Sequence, residues 1–400
     1  MKKRYLLSLP LVTIMTACGS KGTGESRINT KQSLPSEATA VSAEENPQLY
    51  AGLIQDIAGN LLNFNFHQAV FTLDAYAKVN VKLNDTQKLN LEASNQTQVG
   101  VVFNDSHASM GFKTTLPKMD YSKFKVLSGE DEVPEMVFGM FNKMAGGTVK
   151  VATQYVAAQD STYAFVDVSD SKIKSGIIYA LEQAKLPEGY TAEQMFKAVF
   201  GEGLVCANVT TILNYVYQSI VDAHPDAEIE MLVPPEYFND PVTYVCTHFP
   251  QYLAEYNVQQ YLYIGLQFLM GFEPQVGYVA DKNTGAVTQE VLAVNVTASK
   301  VNEMLGLEGK DKISGSAGAY IAVGTTTGSE KLSLEDLKVA ADVTFQGNKV
   351  AAKLALHVDY NAKAESSMNA LLPSASAQYK DATNMLLSLI SSIISQALVE

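Results

Sequence analysis

Histidine, cysteine, serine and carboxylate side chains do most enzyme chemistry, and this chain holds few of them in a usable arrangement. Its five histidines, His67, His107, His224, His248 and His357, are scattered. None stands in an HExxH or HxH spacing or beside a CxxC pair, so no zinc site is expected. His107 follows a turn signal and His357 falls on the polar side of an alternating run, which predicts surface histidines. Ser314-Gly315-Ser316-Ala317-Gly318 approximates the G-x-S-x-G nucleophile elbow. Ser314, however, occupies the first glycine position, and Ala319, Ile321 and Val323 continue as a strand where the elbow needs a helix. Asp281-Lys282-Asn283 with Glu290 approximates a calcium loop, yet Gly285 sits at a ligand position and Glu290 arrives two residues early. No glycine-rich phosphate loop of the Walker or dinucleotide type occurs. With no grouping of nucleophile, base and orienting residue, the chain is read as a non-enzyme without metal or cofactor.

Three cysteines in 400 residues exclude a disulfide-dense scaffold. Cys18 stands at the end of an N-terminal targeting pattern, which leaves Cys206 and Cys246. In an exported protein two such cysteines read as a disulfide, and closing a loop of about 40 residues would contribute roughly 4 kcal/mol on the chain-entropy model. Two buried free thiols are the alternative. The composition, 47% hydrophobic and 18% charged, supplies one large core or two ordinary ones. A formal charge of −13 argues against nucleic acid as a partner.

The first eighteen residues carry an address. Lys2, Lys3 and Arg4 precede a short apolar stretch, Tyr5 to Met15, too brief for a membrane span and suited to a secretion signal. Met15-Thr16-Ala17-Cys18 then resembles the lipobox of bacterial lipoproteins, with Met15 where that pattern usually has Leu. The resemblance covers the leader alone. It implies cleavage after Ala17, acylation of Cys18 by palmitate-like chains, and a protein held on the extracytoplasmic side of the cell membrane or outer membrane. Each buried CH₂ contributes roughly 0.8 kcal/mol, so several chains anchor stably. Loss of the leader makes the body three charges more negative, and such a surface stands off from anionic headgroups.

From Cys18 to residue 46 small and polar residues dominate, which predicts a flexible tether. One large domain follows over 47–400. Leu49, Leu53, Ile54, Ile57, Ala58 and Leu61 recur at helical spacing. Ala69 to Leu83 then alternates apolar and polar, as a strand with one wet face does. Return strands fit 89–103, 106–116, 148–157 and 161–169. Helical periods occupy the middle, including one over 204–222. The strand pattern resumes at Val276 to Ala280 with a hairpin at Asp281–Gly285, and again on either side of a turn placed at Gly347-Asn348. The order allows either one sheet or a pseudo-repeat of 47–248 and 249–400. The fold class is α+β: a large curved antiparallel sheet, as an open half-barrel or a two-part meander, packed against several helices.

Two helices stand out. Residues 252–272 are apolar nearly all round with one charge, Glu255, and 382–399 carry no charge before Glu400. Helices of that kind belong in an interior, or else wall an apolar cavity. Tyr256, Tyr263, Phe268, Met270, Leu389 and Ile393 would then be its lining. In layout, though in no motif residue, the body resembles the lipoprotein and lipid carriers of the LolA, LolB and LppX type, in which an unclosed half-barrel shelters lipid. That resemblance implies a lipid or other apolar ligand and no catalysis. A surface lipoprotein that contacts a protein partner through its wet strand faces is the alternative.

Overall fold

The computed structural model describes residues 29–63, 67–84, 87–104, 107–127, 135–184, 186, 189–223, 235–325, 332–374 and 377–397. The leader, Cys18, the first part of the tether and His224 lie outside them. Thirteen strands form one sheet. In chain order they are β1 (Thr39–Val41), β2 (Gln68–Lys82), β3 (Lys88–Asn104), β4 (His107–Thr115), β5 (Thr148–Val156), β6 (Ser161–Asp167) and β7 (Leu204–Asn208), then β8 (Gln275–Ala280), β9 (Val287–Thr297), β10 (Ile313–Thr325), β11 (Leu332–Phe345), β12 (Asn348–Tyr360) and β13 (Lys380–Asp381). Their spatial order is β1-β8-β9-β10-β11-β12-β2-β3-β4-β5-β6-β7-β13, and all neighbours are antiparallel except β13 on β7. The fold is thus α+β with an open curved sheet. The two halves of the chain supply contiguous blocks of strands, and β12 paired with β2 from Lys349–Asn80 to Tyr360–Ala69 fuses them.

The helices are α1 (Pro47–Asn60), α2 (Glu135–Met144), α3 (Ser171–Gln183), α4 (Ala192–Phe200), α5 (Val209–Ala223), α6 (Pro235–Asn239), α7 (Pro241–Glu255), α8 (Val258–Met270), α9 (Ala298–Leu305), α10 (Glu365–Leu371) and α11 (Thr383–Ala397). Their starts follow side-chain capping. Asn46 Oδ1 accepts from Leu49 N ahead of Pro47 in α1, and Thr191 with Gln194 forms a capping box on α4. Directly opposed residues share a sheet face, so the apolar set of β2 (Ala69, Phe71, Leu73, Ala75, Ala77, Val79) aligns with Leu354, Ala352 and Val350 of β12 and with Ala93 and Leu91 of β3. This side is the helical face. Leu53 and Ile57 of α1 and Leu266 of α8 pack there on Val276, Leu292, Ile321 and Val323. Ile173 of α3 and Phe196 of α4 pack at its other end beside Val149 and Val166. The opposite face carries α10, whose Met368 and Leu371 bury against Val70 and Val102.

Four expectations change. Residues 29–46 are no free tether: β1 pairs with β8, Leu34 and Ala38 pack on Val291, Ala293, Tyr320 and Ala322, and Gln32 exchanges two hydrogen bonds with the Asn295 side chain. An available sheet edge orders a segment that has almost no core of its own. The helical period at 204–222 begins as strand β7, because an edge beside β6 competes with the helix for Leu204–Asn208. The apolar run predicted as one helix is two, α7 and α8, broken at Asn257 with a φ of 52°. The final hairpin turns on Gln346-Gly347, both at positive φ as a two-residue loop requires, so Phe345 opposes Asn348. Asn348 instead accepts a hydrogen bond from Lys82 N.

Candidate functional site: the open part of the helical face

The helical face is only partly roofed. Above β8–β11 lie α1 and α8, while Met119 and Phe124 cover Val79, Leu89 and Leu91 on the β2–β3 side. Between these covers the row Ala319–Val339–Leu354–Ala75 crosses β10, β11, β12 and β2. Its ends, Ala319 and Ala75, are buried, but Val339 is 43% and Leu354 37% exposed. Adjacent rows, Ala341–Ala352–Ala77 and Leu337–Leu356–Leu73, extend the same apolar field. Two branched aliphatic side chains near the centre of the sheet are therefore open to water.

The pair α7–α8 bridges that face along one flank. At its start a polar clasp holds α7 to the sheet. Asp240, the N-cap, accepts from Thr243 N, from the Thr243 hydroxyl at 2.7 Å and from Thr162 Oγ1 at 3.2 Å. His107 Nδ1 lies 2.6 Å from Asp240 Oδ2, and its ring stacks on Tyr155 with centroids 3.6 Å apart. Thr243 Oγ1 in turn accepts from Ala108 N. Burial works to raise the Asp240 carboxyl, but the hydrogen bonds from Thr243, His107 and Thr162 outweigh it and leave the group below its ordinary value. At the far end α8 is held by Leu262, Leu266 and Leu269 against α1 and the sheet.

The lining expected from sequence is displaced outward. Tyr256 is 74%, Phe268 58% and both Leu389 and Ile393 57% exposed; Tyr263 is also exposed, and Met270 alone of the six is half-buried. Helices α8 and α11 are therefore not interior. Each uses one stripe for packing and presents another, Tyr261, Ile264 and Phe268 on α8 and Met385, Leu389 and Ile393 on α11, to solvent. The reason is that each meets neighbours along one side only: α8 meets α7 and α1, and α11 meets α5 and β7.

Cys206 on β7 and Cys246 in α7 are free thiols with no disulfide between them, and burial raises both. The calcium-like run is a hairpin turn. Asp281 Oδ1 accepts from Asn283 N, Thr284 N and the Thr284 hydroxyl, which holds its carboxyl below the usual range. Ser314–Gly318 lies inside β10. Among the described residues no three His, Cys, Asp or Glu side chains gather as a metal site, and no helix is long and apolar enough to cross a membrane. His357 is exposed and pairs with Asp336. The clasp on His107 was not legible in sequence, because its carboxylate lies 133 residues away. Glu290 was equally hidden: an alternating strand gives no sign that a polar position points beneath α1. It is 7% exposed with Oε2 unpartnered, and burial together with nearby Asp56 pushes its carboxyl up to about 7.

No protein-family model matches the chain, and no curated protein matches it. Among solved structures the chain is similar to lipovitellin, in a structure described as "lipid-protein interactions in lipovitellin", with a TM-score of 0.23 and 8% identity. The alignment covers 80% of this chain and 27% of that one, so the chain spans about a quarter of the lipovitellin chain's length. A likeness at that level identifies no family.

Proposed function

We propose that the protein is a cell-envelope lipoprotein, anchored through acylated Cys18, that holds a lipid or other apolar ligand on the helical face of its sheet. The supporting observation is the uncovered row at Val339 and Leu354, flanked by helices whose outer stripes are aromatic and aliphatic. Water gains nothing from wetting such a field, and each CH₂ of an acyl chain laid on it contributes up to about 0.8 kcal/mol. The field is linear, bounded by Met119 and Phe124 on one side and α1 on the other, which suits a chain better than a compact ring. On the flank beside Ala319, the exposed aromatic side chains of α8, Tyr261, Tyr263 and Phe268, would turn over such a ligand. Native mass spectrometry of gently purified protein tests the reading. A co-purifying lipid, together with an acylated Cys18 peptide, supports it. A ligand-free chain that instead retains one protein partner in a pull-down from intact cells favours the interaction alternative.

A further inference from the structure

A second site lies on the opposite face, over β3, β4 and β5, and it gathers three lysines on an acidic body. Gln96, Gln98, Lys113, Thr115 and Thr148 project from the strands; Lys118, Gly146 and Lys172 come from the adjoining loop and the start of α3. Together they line a pocket of about 390 Å³, within the size range of small-ligand sites. Arg4 and Arg27 precede the described residues, so every cation on this fold is a lysine. Lys172 Nζ donates to the Gly146 carbonyl at 3.4 Å, but the lysines here have no carboxylate partner among the described residues. Lys113 stands directly opposite Lys150 in the β4–β5 register, a like-charge pairing that destabilises a sheet. Among the described residues none of Lys113, Lys118, Lys150 and Lys172 has a carboxylate within salt-bridge distance, whereas Lys78, Lys197, Lys300, Lys338, Lys349 and Lys363 all do. Carboxylates border the site without forming an ion pair with these lysines, each with a hydrogen-bond donor of its own. Asp167, opposite Lys150, accepts from Ser169; Asp170 caps α3; Asp74 accepts from Gln96. Gly146, at a φ of 74°, has no side chain where a Cβ would meet the Lys118 stem at 2.7 Å and Lys172 Nζ at 3.0 Å, so both lysines converge over it.

We propose that this pocket binds a phosphate-class anion. Ammonium groups supply the charge and the amide and hydroxyl groups of Gln98, Thr115 and Thr148 supply neutral hydrogen bonds, the combination that recognises a compact dianion. The site is independent of the apolar face, so failure of either reading leaves the other standing. Inorganic phosphate is titrated into the full chain at constant ionic strength, and dihexanoyl phosphatidate is titrated in parallel. Saturable binding of phosphate identifies a free anion as sufficient; binding of phosphatidate alone identifies a lipid headgroup. In either case Lys113→Gln and Lys172→Gln weaken binding at least tenfold, while Lys349→Gln leaves it unchanged. Lys113→Gln also raises the unliganded Tm, because it removes the like-charge pair, and abolishes most of the phosphate-induced rise. Lys118→Met keeps the stem over Gly146 and tests the charge alone. No saturable binding of either probe, or equal affinity in wild type and the three pocket variants Lys113→Gln, Lys172→Gln and Lys118→Met, overturns the proposal.

Discussion

Glu290 is held beneath α1 with one carboxyl oxygen unpartnered, and its titration should be visible in the stability of the whole protein. A carboxyl raised from 4.5 to about 7 binds its proton more tightly when folded. The stability this contributes is complete below pH 4.5 and disappears as the pH rises through 7, a change of about 3 kcal/mol at most. Glu290→Gln should therefore match wild type near pH 4 and exceed it by about 1–3 kcal/mol at pH 8 in urea unfolding, with a flatter pH profile between. Asp240 has the opposite sign. Its lowered carboxyl contributes stability above its ordinary value of 3.8 that is lost as the pH falls toward the folded value. Asp240→Ala leaves His107, Thr162 and the first turn of α7 without their acceptor. It should lose about 2–4 kcal/mol in urea unfolding, more than the ~1 kcal/mol of an ordinary cap.

At the scale of elements, α8 separates packing from exposure within one helix. Leu266 is 5% exposed in the main core, while Phe268, two residues on, is 58% exposed. Leu266→Ala should therefore cost about 2–4 kcal/mol of stability, whereas Phe268→Ser should stay within about 0.5 kcal/mol. Uptake of a fatty acid should show the reverse order, with Phe268→Ser impaired while still folded. Such contrasts explain what the amino-acid sequence reveals and what it conceals. Strands β2, β3, β11 and β12 are readable because a sheet with one dry face writes that face as alternation. The apolar character of 252–272 is readable too, but its burial is not, since burial depends on how many sides of a helix find neighbours. Val205 to Ile220 fits a helical period throughout, yet Leu204–Asn208 pairs with β6, because an open sheet edge outweighs local propensity. The segment 29–46 shows the same effect: its order comes from β8 and Asn295, residues far along the chain.

The whole molecule is one sheet with two dissimilar faces, and the two proposals concern one face each. The join of β12 to β2 places the uncovered row near the centre of the sheet, with three of its strands from the second half of the chain and β2 from the first. Neither half alone can build it. A surface of net charge −13 is repelled by anionic headgroups, so under the proposed reading ligand exchange with a membrane proceeds through the apolar face. Cys18→Ser removes the proposed acylation site, and with it any acyl chain that would compete for the apolar face. Equilibrium titration of that variant with a fluorescent fatty acid therefore tests the central claim most directly. Saturable uptake is predicted, weakened roughly tenfold or more by Val339→Asn combined with Leu354→Asn, since each substitution removes more than about 1 kcal/mol of apolar contact. Uptake that never saturates, or that is the same with and without the two asparagines, would contradict the account.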